Sequence, residues 1–324
     1  MQKLEHIRES IKPELAQLNA IIARTLQSES ALTNTIVSEY LSTKGKQIRP
    51  VLVLLSGKLF GGINEKVLHG GAAIELLHNA SLIHDDVIDQ STSRRGNATI
   101  NSVWNNHVAV LVGDFFVSGA LSCAVRTDDV RVLQILSDMG ADLALGEIDQ
   151  IDNARNREIT EEVYFNIIRR KTASLFTSCV MVGGISAGAS VEEVENLRRY
   201  AELLGMCFQI KDDTFDYFSN PEVGKPTGND LREGKITLPL IYALGRKDLA
   251  ECEQMNQLVH NPELSEEDIT RLVNYAKAAG GVDYAFEKMQ ALRQEAEQLL
   301  DAYPASDMVD AFKQIFNYVI ARNK

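Results

Sequence analysis

The sequence predicts an all-α protein. Apolar residues recur at helical spacing, as in Val51, Leu54 and Leu55 and again in Leu197, Tyr200, Ala201 and Leu204. No long segment alternates with a period of two, the pattern a half-buried strand would need. The prolines fall at Pro13, Pro50, Pro221, Pro226, Pro239, Pro262 and Pro304. The chain from Val51 to Asn220 therefore lacks the residue that breaks helices. At 324 residues, 45% apolar and 24% charged, it is long enough to bury a large core, which excludes disorder, collagen and a disulfide scaffold.

The elements follow in chain order. The opening MQKLEHIRESIKPELAQL mixes charged and apolar residues without a continuous apolar run, so no export signal is expected. Gly45 to Pro50 precedes a helix, and Gly61-Gly62 marks a stop. Thr160 before Glu161-Glu162 reads as a helix start. Thr172 to Val191 is uncharged, but its serines, threonines and glycines make it a buried core helix rather than a membrane span. Gly183-Gly184 is read as a turn within it. Ser190 with Glu193, and Ser265 with Asp268, mark further starts; Pro221 to Gly228 and Gly280-Gly281 mark turns. None of these breaks is long enough for an interdomain linker, so residues 1–324 are expected to form a single domain.

Charge narrows the function. A net charge of −12 leaves no overall basic surface for a phosphate backbone, so no nucleic acid partner is expected. Cys123, Cys179, Cys207 and Cys252 have neither C-x-x-C nor zinc spacing, and they read as reduced cysteines of a cytoplasmic protein.

One internal echo stands out. Asp85-Asp86-Val87-Ile88-Asp89 is answered by Asp212-Asp213-Thr214-Phe215-Asp216, each a D-D-x-x-D at the end of an apolar helical segment. Residues four apart share a helix face, so Asp85 pairs with Asp89 and Asp212 with Asp216. Like charges so placed repel, and partly buried charge needs compensation. Hard divalent cations supply it: Mg²⁺ takes one or two carboxylates, several waters and substrate phosphate oxygens. A solvated acidic helix end is the ordinary fate of one such run. Two copies by accident would be on the order of a few in a thousand. Basic residues stand nearby: Lys46 and Arg49, Arg94-Arg95, Lys171-Thr172, and Lys225 and Lys235 around Pro226 to Gly234. In an acidic chain such clusters suit diphosphate recognition, with guanidinium forks and lysine point charges. For Lys225 alone a solvated loop lysine is an equal reading.

GKQIRP, ELLHNASLIHDDVIDQSTSRRG, LVGD, GEIDQ, RRKTASLF, FQIKDDTFD and GKPTGNDLREGKITLP occur in one order between Gly45 and Pro239. By this series the chain resembles the trans-isoprenyl diphosphate synthases of the polyprenyl synthetase family, most of all the long-chain octaprenyl diphosphate synthases. The resemblance implies a bundle of antiparallel helices around a central cavity, with the two aspartate motifs facing each other across its mouth, and a homodimer. It implies two or three Mg²⁺ ions, ligated by Asp85 and Asp89 with Asp86 supporting, and by Asp212 with Asp213 or Asp216 acting directly or through water. The allylic diphosphate would meet Arg94, Lys171, Thr172, Gln209, Lys225 and Lys235. Isopentenyl diphosphate would be held by Lys46, Arg49, His78 and Arg95; apart from the motif, His78 reads as a core histidine. Catalysis would rest on Asp85, Asp89, Arg94, Lys171 and Asp212, which promote ionisation of the allylic diphosphate. The double bond of isopentenyl diphosphate then attacks, and a proton is lost to the released diphosphate, so no protein base is needed. His84 points about 100° from Asp85 and is expected to be structural.

Five and four residues before Asp85 stand Ala80 and Ser81, where short-chain members resemble one another in carrying bulky aromatics. A small pair leaves the tunnel open, so the expected product is a long all-trans chain of about the octaprenyl class, built on farnesyl diphosphate for a quinone side chain. Leu77, Ile74 and the segments Val117 to Leu121 and Met139 to Leu143 could each supply the floor. The rivals are a geranylgeranyl or farnesyl diphosphate synthase and a non-catalytic subunit of a heteromeric synthase. A terpene cyclase would not need GKQIRP or the paired Arg94 and Arg95. Membrane contact is expected to be peripheral at most.

Overall fold

The computed structural model describes residues 2–42, 45, 47–94, 96–156, 160–218, 227–261 and 263–322, and helices dominate them. The all-α expectation holds, with one addition. A short antiparallel hairpin pairs Ser93 with Ala98 and Arg94 with Asn97, too brief for any periodicity to reveal.

The chain divides into two compact units. The first comprises Met1–Ala141, Leu175–Arg198 and Pro304–Phe312. Its spine is the helix Glu65–Ile88, packed against the helices Lys12–Thr25, Ile48–Phe60 and Asn106–Val125. Asn64 caps the spine by accepting the Val67 N–H at 2.9 Å. Val51 to Leu55 are each fully buried, so this stretch of the helix is apolar all round because it is enclosed all round.

Gly183-Gly184 is not the turn the sequence suggests. The helix Ser174–Ser186 runs straight through both residues. A Cβ on Gly183 would lie 2.2 Å from the Val53 carbonyl oxygen, and one on Gly184 would lie 2.4 Å from Val194 Cγ1. The glycines are there for close approach between neighbouring segments, not for a break. Leu175, Phe176, Cys179, Val180 and Val182 are buried, as a core helix requires. Among the described residues, the helix long and apolar enough to cross a membrane is Asn106–Val125, of whose apolar window 44% is buried.

The second unit comprises Asp142–Ser174, Arg199–Tyr303 and Lys313–Lys324. Its apolar core gathers Tyr217, Leu240, Met255, Leu272, Tyr275 and Ala276. Two of the three sequence-derived helix starts lie here. Thr160 accepts the Val163 N–H at 3.3 Å, and Ser265 and Asp268 form a reciprocal capping box. The third, Ser190 with Glu193, exchanges the same two bonds at the head of Val191–Phe215 in the first unit. Gly280, at φ +79°, separates the helices Glu266–Ala278 and Gly281–Leu300 as expected.

Candidate active site

In the first unit the spine helix ends at Ile88, and Asp89 is its C-terminal cap residue. Asp85 is half-buried and Asp89 exposed, one turn apart. Asp86 points elsewhere: it is 4% exposed. Arg94 grips its Oδ1 through Nε and Nη2, both at 2.8 Å. Burial raises the Asp86 carboxyl above its ordinary value, and Arg94 opposes that rise. Asn101 donates to the carbonyls of Asp86 at 3.2 Å and Ser91 at 3.0 Å, fastening the loop that carries Arg94 back onto the helix end. His84 behaves as a structural residue. Its Nε2 lies 3.3 Å from the Val110 carbonyl oxygen, and a Cβ on Gly113 would stand 2.2 Å from that nitrogen. The glycine of LVGD makes room for this ring.

Arg49 opens the helix Ile48–Phe60, with its guanidinium 5.8 Å from the Phe176 ring centroid. His78 is buried within the spine helix. Lys46, Arg95 and Lys225 lie outside the described residues.

In the second unit five sequence-derived residues meet. Lys171, Thr172, Gln209, Asp213 and Lys235 line one cavity of about 150 Å³, joined by Tyr164, Asp230 and Gln150. Thr172 Oγ1 donates to Gln209 Oε1 at 2.7 Å, and Gln209 Nε2 donates to Asp213 Oδ1 at 2.8 Å. Tyr164 donates its hydroxyl to the other oxygen of Asp213 at 2.5 Å. Both carboxylate oxygens of Asp213 thus accept a protein donor. Burial raises its carboxyl well above the ordinary value, and the charges of Asp212 and Asp216 push the same way. Burial does the same to Asp230, helped by Asp213.

Asp216 lies just beyond the helix Val191–Phe215. Its two oxygens accept the backbone N–H groups of Asn229 at 2.8 Å and Asp230 at 3.1 Å, at the start of the turn Asn229–Arg232. Asp212 faces differently. Its carboxylate is 39% exposed and pairs with Arg322 at 2.7 Å.

Lys171 sits in a π-helical turn, Arg169–Ala173, between Glu161–Ile168 and Ser174–Ser186. Such single-turn insertions re-aim side chains and recur at functional sites. Glu147 forms an ion pair with its ammonium, and Gln150 Oε1 accepts from it at 3.0 Å. Gly146 permits the approach, since a Cβ there would lie 2.9 Å from the Lys171 backbone nitrogen. Lys235 pairs with Glu233 at 2.6 Å.

Among the described residues, no group of three or more His, Cys, Asp or Glu side chains could hold a metal ion by itself. Mg²⁺ takes few protein carboxylates and completes its shell with water and substrate phosphate oxygens. Asp85, Asp89 and Asp212 offer hard oxygen ligands open at least in part to solvent. Sequence reasoning missed Tyr164, Asp230, Glu147 and Arg322. Glu147 and Asp230 stood inside the GEIDQ and GNDLREG segments; Tyr164 and Arg322 carried no local pattern.

The polyprenyl synthetase family profile matches residues 30–276. The octaprenyl diphosphate synthase of Escherichia coli (strain K12) is 32% identical over 324 residues, covering 99% of this chain and 99% of that protein. The crystal structure of a polyprenyl synthase from Caulobacter crescentus CB15, complexed with calcium and isoprenyl diphosphate, is similar at a TM-score of 0.91 and 31% identity, covering 99% of this chain and 98% of that one. A geranylgeranyl pyrophosphate synthase from Bacteroides thetaiotaomicron is similar at a TM-score of 0.84 and 36% identity, covering 99% and 100% of the two chains.

Proposed function

Because this chain belongs to the polyprenyl synthetase family and is a prenyltransferase, we propose that it is an all-trans long-chain polyprenyl diphosphate synthase. It would extend farnesyl diphosphate with isopentenyl diphosphate to about the octaprenyl length, for a quinone side chain. The observation that carries this reading is the cavity where Lys171, Thr172, Gln209, Asp213 and Lys235 converge. Cations beside a polar relay suit a diphosphate leaving group.

The residues divide by role. Asp85, Asp89 and Asp212 would hold two or three Mg²⁺ ions, which when bound supply positive charge to the departing diphosphate. Asp86, Asp213 and Asp216 would support, because Arg94 holds one oxygen of Asp86, Tyr164 and Gln209 hold the two of Asp213, and two backbone amides hold the two of Asp216. Lys171 and Lys235 would place point charges on the allylic diphosphate, with Arg94 and Lys225. Lys46, Arg49, His78 and Arg95 would take isopentenyl diphosphate. The open tunnel rests on the small side chains of Ala80 and Ser81.

A homodimer is supported by the apolar outer face of Asn106–Val125, where Leu111 is 68%, Leu121 53% and Val125 63% exposed. A cytoplasmic setting is supported by four free, buried cysteines. A shorter product is the second reading, favoured by the 36% identity to the geranylgeranyl pyrophosphate synthase.

The test is to incubate the purified chain with farnesyl diphosphate, labelled isopentenyl diphosphate and Mg²⁺, with a chelator control, and to size the products. A chelator-sensitive ladder ending well beyond geranylgeranyl is expected. Termination at geranylgeranyl length would replace the long-chain reading with the second one, and no incorporation would refute extension of farnesyl diphosphate by the chain alone.

A further inference from the structure

Asp212 is met by a cation from within its own unit. Arg322, which follows the helix Asp307–Ala321, places Nη2 2.7 Å from Asp212 Oδ1 and 2.8 Å from the Phe208 carbonyl oxygen. Phe208 and Asp212 are one helical turn apart, so one guanidinium bridges that turn. Its Cζ lies 3.9 Å from the Phe208 ring centroid and 5.6 Å from that of Phe215. The Arg322 side chain is 6% exposed and that of Asp212 39%, so the charge lies behind the carboxylate, away from solvent. Planar stacking and a forked pair of acceptors leave this guanidinium few other positions.

A fixed positive charge behind a metal-binding carboxylate has a definite electrostatic effect. A bare divalent cation arriving from solvent finds Asp212 already compensated and is repelled by the guanidinium, strongly so where water is scarce. A cation arriving with a diphosphate brings net negative charge, which the same guanidinium attracts.

We propose that Arg322 couples cation loading at the second aspartate motif to the arrival of a diphosphate, disfavouring the metal alone. The inference deepens the reading of this site as a metal–diphosphate site and rests on it. The coupling is a linkage between two ligands, so it must appear in binding as well as in turnover.

The experiment measures Mn²⁺ binding to the full chain by electron paramagnetic resonance, with and without inorganic diphosphate. Wild type is compared with Arg322→Met, whose stem still packs on Phe208, with Arg322→Gln, and with Arg322→Lys. Wild type should bind Mn²⁺ at least about tenfold tighter when diphosphate is present. In whichever neutral variant folds by circular dichroism, Mn²⁺ alone should bind several-fold tighter, and the diphosphate enhancement should fall at least about threefold. Arg322→Lys, which keeps the charge, should retain most of the enhancement. Unchanged or weakened binding of Mn²⁺ alone in the neutral variants would overturn the inference, as would a lysine variant that behaves like them. Absence of any diphosphate enhancement in wild type would refute the site reading itself, and the inference with it.

Discussion

At the scale of single residues, the two D-D-x-x-D motifs are less symmetric than their spelling. Asp86 and Asp213 are buried and held by Arg94 and by Tyr164 with Gln209, whereas Asp89 is exposed and Asp212 partly so. Asp212→Asn should therefore cost catalysis directly, lowering kcat/KM about 10²–10³-fold, and should also cost stability, because it removes the counter-charge of buried Arg322. Tyr164→Phe removes one donor from a buried carboxylate and should cost about 1–3 kcal/mol of stability. Denaturant titration and steady-state kinetics on both variants separate the two effects; equal catalytic losses with unchanged stability would contradict this division. The raised carboxyls of Asp213 and Asp230 give a second prediction. In the fold they keep protons at pH values where unfolded carboxyls, with ordinary values near 4, have lost them. Their contribution to stability is present at low pH and is lost as pH rises from the unfolded value through the raised one. With chelator and no diphosphate, the midpoint of thermal unfolding of wild type relative to Asp230→Asn should fall progressively from about pH 4 towards neutrality and above. A constant difference across that range would show that Asp230 is ionised throughout. The carboxylates themselves were legible in the sequence; which of them are pinned was not, because Tyr164 and Arg322 lie 49 and 110 positions from their partners.

At the scale of elements, helix starts were readable because capping is local: Thr160, Ser190 and Ser265 each act on an amide three residues on. Gly183-Gly184 misled for the opposite reason. Their meaning depends on Val53 and Val194, which local sequence does not connect to them as partners. Gly183→Ala should destabilise the protein by about 1–3 kcal/mol, since its new methyl meets a backbone carbonyl that cannot rotate away. A neutral result in chemical denaturation would show that the close approach at position 183 does not require glycine. The π-turn at Arg169–Ala173 was equally hidden. It lies where the sequence expects the uncharged helix from Thr172 to begin, and the close approach of Gly146 to Lys171 comes from a segment distant in sequence.

At the scale of the whole molecule, the proposed product length would depend on a wall rather than on one residue. Ala80 is 1% exposed, while Ser81 is half-buried and donates to the His78 carbonyl at 2.9 Å. On the proposed reading of a tunnel past this pair, Ser81 is the position with room to change, and Ser81→Phe should shorten the product to geranylgeranyl length at near-normal first-step rate. Product sizing decides it, and an unchanged chain length would move the determinant to other walls. Fold class, helix starts and the acidic and basic motif residues were readable along the chain, because helical periodicity, capping and repeated motifs act within a few residues. Folding alone revealed which groups hold Asp86, Asp213 and Asp216, why paired glycines lie inside a helix, and that Arg322 stands behind Asp212. Those facts depend on burial and on partners distant in sequence, where desolvation and close packing set the energy of each group.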